Sequence, residues 1–299
     1  MNLVLTGSLG NIGEPLTRQL VQKGHAVTVI SSSPERQPAI EALGAKAAIG
    51  TILDIDFLTD TFRGADVVYL MEALPPSSLF DPTLDIINAY SDMAARYKQA
   101  VERSGVKKVV HLSSIGAHTT EGNGVLAMHY YAEQILNQLP GDISIKFMRP
   151  VGFFSNLYRS VQTIKTQGVI ISNYGGDAKE PWVSPTDIAT TVAEDMETPF
   201  AGRTIRYIAS DDVSPNEIAR TLGQAIGKPD LQWVAIADDE LLNGMIAMGM
   251  NPQIAKGFVE MQAAQGTGAL YDDYYKHQPT LGKTKLHDFA EDFVKAFNQ

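Results

Sequence analysis

The sequence predicts an α/β protein: a doubly wound parallel sheet with a smaller C-terminal lobe. Three observations predict it. Short apolar runs alternate strictly with amphipathic helical segments over the first 150 residues, and such βαβ units close only with parallel strands and helices on both faces. The first apolar run, Leu3 to Leu5, passes at once into Gly7-Ser8-Leu9-Gly10-Asn11-Ile12-Gly13 and then into a helical pattern. The chain has 299 residues and 44% hydrophobic content, enough for a large α/β unit and a small lobe sharing an interface.

The elements follow in order. After the glycine turn, Leu16, Leu20 and Val21 share a helical face, Pro15 sits near the helix start and Gly24 ends it. Ala26 to Ile30 is the second strand, and a helix around Glu35 to Leu43 stops at Gly44. Lys46 to Ile49 is the third strand. Asp56 to Phe62 is a short helix closed by Gly64, and Asp66 to Met71 is the fourth strand. Pro82 to Arg103 reads as a long helix ended by Ser104-Gly105, and Lys108 to Leu112 as the fifth strand. Leu126 to Leu139 is helical, and Ile143 to Met148 is the sixth strand. Alternation weakens after Arg149-Pro150. Ser184-Pro185-Thr186-Asp187 opens a helix as cap, N1 proline and N3 acid, and Ser214-Pro215-Asn216-Glu217 repeats the device. Thr204 to Ala209 reads as a strand returning to the main sheet. The expected division is therefore 1–150 plus about 183–210 for the sheet domain, with 151–182 and 211–299 forming the smaller lobe.

The strand–glycine turn–helix is a dinucleotide pyrophosphate site. Gly7 permits the sharp turn, Gly10 lets backbone approach the phosphates, and Gly13 allows close helix packing. The N–H groups and dipole of the following helix face the anion. The end of the second strand bears on NAD against NADP. It reads Val29-Ile30-Ser31-Ser32-Ser33, then Pro34-Glu35-Arg36, with no acid at the strand tip. Hydroxyls and a guanidinium suit a 2′-phosphate, which favours NADP(H) over NAD(H). Glu35 opposes this if it turns back to the ribose.

Composition excludes several functions. The net charge of -10 and the absence of a basic run argue against nucleic acid or an anionic membrane as partner. There is no cysteine, hence no disulfide and no thiol nucleophile. The six histidines, at 25, 111, 118, 129, 277 and 287, lack metal-ligand spacing. No apolar stretch approaches the roughly 20 residues of a membrane helix. The first strand starts near residue 3, which leaves no room for a signal peptide; the expectation is a cytoplasmic protein. The acidic clusters Asp54/Asp56 and Asp238-Asp239-Glu240 read as helix N-termini.

The order of motifs resembles NmrA-like proteins of the atypical short-chain dehydrogenase/reductase superfamily. The resemblance rests on Gly7, Gly10 and Gly13, on Phe62 to Val68, on Gly105 to Ser114, on Arg149 to Asn156 and on Ser184 to Ala189. It implies that Gly7, Ser8, Leu9, Gly10, Asn11 and Ile12 hold the pyrophosphate. Ser31, Ser32 and Arg36 would border the 2′ position, Met71 and Glu72 the ribose, and Ser113 the nicotinamide. Val151, Gly152 and Phe153 would shape the loop over the nicotinamide ring. Thr51 stands where relatives often have aspartate near the adenine.

Catalysis departs from the superfamily. Its alcohol dehydrogenases and sugar epimerases use Tyr-x-x-x-Lys, whose lysine tunes the tyrosine for proton transfer. Here Tyr130 is followed four residues on by Gln134 and Tyr131 by Ile135, and the motif occurs nowhere in the chain. Two functions fit. One is an NADPH-dependent reductase of a quinone-like or other conjugated carbonyl acceptor, which needs little acid assistance; His129 or Tyr130 would supply a late proton. The other is a non-catalytic NADP(H) sensor that binds a protein partner. The apolar stretch Leu241 to Met250 suits a lid over an apolar ligand, or a helix pair in the lobe's core.

Overall fold

The structure, a computed structural model, describes residues 1–299. In chain order the strands are β1 (Asn2–Leu5), β2 (Ala26–Ser31), β3 (Lys46–Ile49), β4 (Val67–Leu70), β5 (Lys108–Leu112), β6 (Ser144–Pro150), β7 (Gly152–Phe153), β8 (Val169–Ser172), β9 (Glu180–Val183), β10 (Arg203–Ile208), β11 (Asp211–Val213) and β12 (Gln232–Ala235). The α-helices are α1 (Gly13–Gln22), α2 (Gln37–Ala42), α3 (Ile55–Phe62), α4 (Ile86–Ser104), α5 (Ala127–Leu136), α6 (Val161–Gln167), α7 (Pro185–Glu197), α8 (Pro215–Ala225), α9 (Asp238–Ala247), α10 (Pro252–Thr267), α11 (Asp272–His277) and α12 (Leu286–Phe297).

Seven strands form the main sheet in the order β3-β2-β1-β4-β5-β6-β10, every neighbouring pair parallel. Strand order reverses between β1 and β4, the point where open α/β sheets bind ligands beyond their C-terminal ends. The two-residue side-chain period sorts each strand between two cores. Leu3 and Leu5 of β1, with Val67 and Tyr69 of β4, face α1 and α7 through Leu16, Leu20, Ile188 and Val192. Val4, Val68 and Leu70 face α3, α4 and α5 through Leu58, Phe62, Tyr97 and Leu136. The returning strand expected at Thr204 is β10, in register with β6 from Arg203 opposite Ile145.

A third core lies in the smaller lobe. The Phe154 ring stacks between Trp182 and Phe289, at 5.9 and 5.3 Å, among Leu157, Ile218, Leu222 and Phe293. Two small sheets, β11-β9-β7 and β12-β8, carry this lobe.

Local chemistry explains the boundaries. Asp54 caps α3, accepting from the Asp56 and Phe57 amides at 3.0 Å. Gly105 closes α4 at φ +84°, a left-handed conformation suited to glycine. The long helix expected from Pro82 begins at Ile86, because Asp85 takes the Asn88 amide as its cap. Ser184 and Ser214 cap α7 and α8 as their Ser-Pro signals predict. Asp187, expected as a capping acid, is buried instead and accepts from Ser210 Oγ at 2.6 Å and the Thr284 amide at 2.9 Å. The Leu241–Met250 stretch is not core: α9 has no buried residue, and Met248 is 72% exposed. No helix is long and apolar enough to cross a membrane.

Candidate functional site

The glycine turn lies on the C-terminal edge of the sheet, between β1 and α1. Gly7 has φ +89° and Ser8 φ +56°, the tight left-handed turn the sequence requires. A Cβ on Gly13 would stand 2.0 Å from the Ser8 carbonyl oxygen, so this glycine makes room for the loop's own backbone rather than for the strand. A Cβ on Gly10 would meet nothing within 4 Å; its outer face is open. No side chain caps α1; the Glu14 amide bonds the Gly10 carbonyl at 3.1 Å and Pro15 has no N–H, so the Gly13 amide is the first-turn donor left for an anion. An open backbone cradle against an uncapped helix end fits a dinucleotide pyrophosphate.

The expected 2′ side assembles beside it. Ser31 Oγ accepts from Ser8 Oγ at 3.0 Å, tying strand tip to loop. Arg36 is exposed, and its Nη1 donates to the Leu9 carbonyl at 3.2 Å, which holds the guanidinium against the glycine turn. Ser32 is exposed between them. Glu35 does not reach back: it accepts from the Ser33 hydroxyl, and that bond lowers its pKa.

Other expected residues divide by burial. Met71 is half-buried, with its methyl 2.3 Å from where a Gly7 Cβ would stand. Glu72 turns inward rather than to the ribose edge. Its carboxylate meets His111 Nε2 at 2.9 and 3.1 Å, both side chains fully buried, because a charge sealed beneath α4 and α5 needs an internal partner. Ser113 also faces inward, donating to Glu133 at 2.6 Å. Glu133 in turn takes Arg149 Nε at 2.9 Å and Nη2 at 2.6 Å, a bidentate buried pair. Val151 is buried, whereas Gly152 and Phe153 stay half-buried and pair with Trp182 and Val183.

His129 stands in the first turn of α5, its ring edge-on to Tyr90 at 5.3 Å. Burial pulls its pKa down to about 4; the Glu72 charge opposes the drop and His111 adds to it. The imidazole is therefore neutral at pH 7 and is no source of a proton, contrary to the acid role expected for it. Tyr130 is half-buried and packs edge-on against the exposed Tyr131 at 5.5 Å.

The roof of this edge is α10. Its cap Asn251 is buried and donates from its amide to Leu79 O at 2.9 Å and from Nδ2 to Asp81 O and Leu84 O at 2.8 and 3.1 Å. These carbonyls belong to the segment between β4 and α4. Midway, Gly257 meets Gly124 backbone to backbone; a Cβ on Gly124 would lie 2.0 Å from the Gly257 oxygen. Near its end, Gln265 Nε2 lies 3.8 Å from the Cβ position of Gly152. One helix thus spans the loops that follow β4, β5 and β6. Half-buried Met71, Phe153 and Met261 give this edge apolar walls. The neighbouring charges Glu72, Glu133 and Arg149 are paired away in the interior. Two open surface cavities, of about 490 and 420 Å³, are lined by Thr51, Leu53, Asp54, Ile55, Asp56 and Arg103 and by residues around His118 and Arg203; neither reaches the glycine turn.

The sequence pattern of the NAD(P)H-binding family matches residues 7–199. The chain belongs to that family. The motif-based resemblance to NmrA-like proteins agrees with this membership. Among curated relatives, an uncharacterized protein of Schizosaccharomyces pombe is 26% identical over 262 residues, 80% of this chain and 84% of its own. Two solved structures share the fold. An NADPH-dependent quinone oxidoreductase of Escherichia coli, complexed with NADPH, superposes with a TM-score of 0.81 at 18% identity, covering 97% of this chain and 99% of that one. The triphenylmethane reductase of Citrobacter sp., complexed with NADP(H), gives 0.77 at 17% identity, covering 98% and 100%. The α/β Rossmann fold and the NAD(P)H-binding assignment follow; the identities are too low to carry an activity across.

Sequence reasoning missed Glu133–Arg149, Glu72–His111 and α10. Arg149-Pro150 and Glu133 are visible as residues, but 16 positions separate the partners and no local pattern joins them. Asn251-Pro252 repeats the cap-and-proline signal of Ser184-Pro185 and could have marked the start of α10.

Proposed function

We propose that this protein is an NADPH-dependent oxidoreductase acting on a quinone-like or other conjugated carbonyl acceptor. The observation that carries the reading is an open glycine cradle beside a neutral, apolar-walled edge without a Tyr-x-x-x-Lys pair. Gly7 to Ile12 would hold the pyrophosphate, and Ser31, Ser32 and Arg36 the 2′-phosphate. Met71, Gly152 and Phe153 would border the nicotinamide half, with Ser113 supporting the strand end from within. Bound NADPH supplies the hydride. The protein's part is to orient the acceptor, exclude water and leave no fixed charge at the edge. An acceptor that becomes a stabilised hydroquinone anion needs no strong acid. Neutral His129, its Nδ1 sealed without a partner, suits a ring proton on Nε2 and serves as a hydrogen-bond donor. Tyr130 is then the side chain left to deliver a late proton.

A second reading, an NADP(H) sensor with a protein partner, is favoured by one feature. Phe80, Ile246 and Met248 are exposed, and Phe80 lies 3.9 Å from the Cβ position of Gly249, so they gather at one margin of the roof. Purified protein mixed with NADPH or NADH and a panel of small quinones tests the choice through loss of reduced-nicotinamide absorbance. Turnover is expected with NADPH. Binding of NADPH without turnover of any quinone would favour the sensor. Arg36→Ala should weaken NADPH by roughly 10–100-fold, the worth of a charge-assisted bond, and leave NADH unchanged; an equal loss with both would remove the basis for preferring NADP.

A further inference from the structure

Tyr69 of β4 lies in the core beside the glycine turn and is 1% exposed. Its hydroxyl has a single partner, the thioether of Met71, with oxygen and Sδ 3.8 Å apart. A thioether is a weak acceptor, and a buried phenol ordinarily finds a better one. The neighbouring phenol does: Tyr97 OH donates to the Met71 carbonyl at 2.7 Å. Thr6 Oγ1 accepts from the Met71 amide at 2.8 Å. The Met71 backbone is therefore fixed, while its sulfur meets a donor that it satisfies poorly.

The same sulfur faces the glycine turn. A Cβ on Gly7 would lie 2.3 Å from the Met71 methyl and 3.3 Å from Sδ, so the end of this side chain fills the space that Gly7 leaves open and backs the turn at φ +89°. Met71 is half-buried, whereas Met93, Met148 and Met196 are sealed in the core.

We propose that Met71 is an oxidation site that controls dinucleotide binding: in the free protein, hydrogen peroxide converts its thioether to a sulfoxide, and the Tyr69 hydroxyl then hydrogen-bonds the new oxygen. The sulfur lone pair attacks one peroxide oxygen as the O–O bond breaks. Sulfur gains that oxygen and gives up two electrons, and the other oxygen leaves with both protons as water. A sulfoxide oxygen is a strong acceptor carried outward from sulfur, so it closes the gap to the phenol. Oxidation also makes the sulfur chiral, and Tyr69 favours the epimer whose oxygen it can reach. The methyl that backs Gly7 rides on the same sulfur. A sulfoxide anchored to Tyr69 resets that methyl against the turn and sets a polar group in an apolar wall, and both weaken the dinucleotide. A bound dinucleotide, lying on this edge, covers the sulfur in return. The inference rests on the dinucleotide site alone and holds for any acceptor.

Peptide mass spectrometry after timed exposure to hydrogen peroxide tests this, with Met248, 72% exposed, as the internal control. Saturating NADP⁺ should slow oxygen uptake at Met71 by at least about 10-fold and leave Met248 unchanged, since susceptibility follows exposure. Oxidised protein should bind NADP⁺ about 10-fold more weakly by isothermal titration. In Met71→Leu the affinity, whatever its starting value, should no longer respond to peroxide. The two stereospecific methionine sulfoxide reductases, applied to the isolated Met71 peptide, read the epimer. Wild type should give mainly one epimer and Tyr69→Phe an even mixture. No oxygen at Met71, equal uptake with and without NADP⁺, an unchanged affinity after oxidation, or an affinity loss that persists in Met71→Leu would overturn the proposal. The same epimer ratio in Tyr69→Phe as in wild type would remove Tyr69 from it. A wild type that fails to bind NADP⁺ before any peroxide is added would instead sink the dinucleotide site, and this inference with it.

Discussion

Replacing Arg149 by methionine is the sharpest test of how the sheet edge is held. Arg149 is 4% exposed and donates to both oxygens of Glu133, at 2.9 and 2.6 Å. It also donates to Tyr207 OH at 3.2 Å and Ala117 O at 3.4 Å. Methionine keeps much of the stem but strands the Glu133 carboxylate with the Ser113 hydroxyl as its one remaining donor. Breaking a buried pair from one side costs about 3–5 kcal/mol, chiefly because the surviving charge is left uncompensated. Tyr207 retains Asp273 at 2.6 Å, so its loss adds little. Glu133→Gln should cost somewhat less, because the guanidinium keeps Tyr207 and Asp273. The double variant carries neither charge and should be destabilised by less than the sum of the singles, with a coupling of at least about 2 kcal/mol. Urea unfolding followed by tryptophan fluorescence and far-UV circular dichroism measures this, provided the two transitions coincide. A cost under about 1 kcal/mol for Arg149→Met, or strict additivity in the double variant, would refute the reasoning that the pair is a desolvated unit.

Two further outcomes follow. Gly10→Asp should leave the melting temperature nearly unchanged, since its Cβ points into open space. It should weaken NADPH by more than about 100-fold by setting a carboxylate against the pyrophosphate site; isothermal titration would show otherwise if the site were elsewhere. His129 gives a pH signature with a defined sign. Its pKa is about 4 folded against 6.5 as reference, so the unfolded chain binds the extra proton first. Stability should therefore fall as pH drops from about 6.5 toward 4, by at most about 3 kcal/mol. His129→Gln should lose that part of the slope. Parallel unfolding curves for both proteins at pH 7 and pH 5 read the difference, and identical slopes would mean that the ring is not desolvated.

The main sheet was legible because its signals are local. Leu3 to Leu5 before Gly7, the caps Asp54, Ser184 and Ser214, and the stop at Gly105 act within a few residues of themselves. Backbone sterics and nearby hydrogen bonds decide such features without reference to the rest of the chain. The glycine cradle belongs to the same class, and so does the position of Arg36 three residues beyond the last serine. The absence of Tyr-x-x-x-Lys was also readable, since it is a statement about residue types.

What the tertiary structure alone decided concerns which groups meet across long separations. The family resemblance implied a ribose contact for Glu72; burial turned its side chain to His111, 39 residues away. His129 looked like an acid because its type titrates near neutrality; its surroundings set its charge, and they hold it neutral. Leu241 to Met250 suited either a lid or a helix pair in the lobe's core; α9 buries none of its residues, and the helix over the sheet edge is the next one, fixed by Asn251 reaching carbonyls 167 and 170 residues earlier. Sequence pattern records the free energy of local backbone choices. The charge state of a buried group and the partner it finds depend on desolvation and distance, quantities that exist only once the chain has folded.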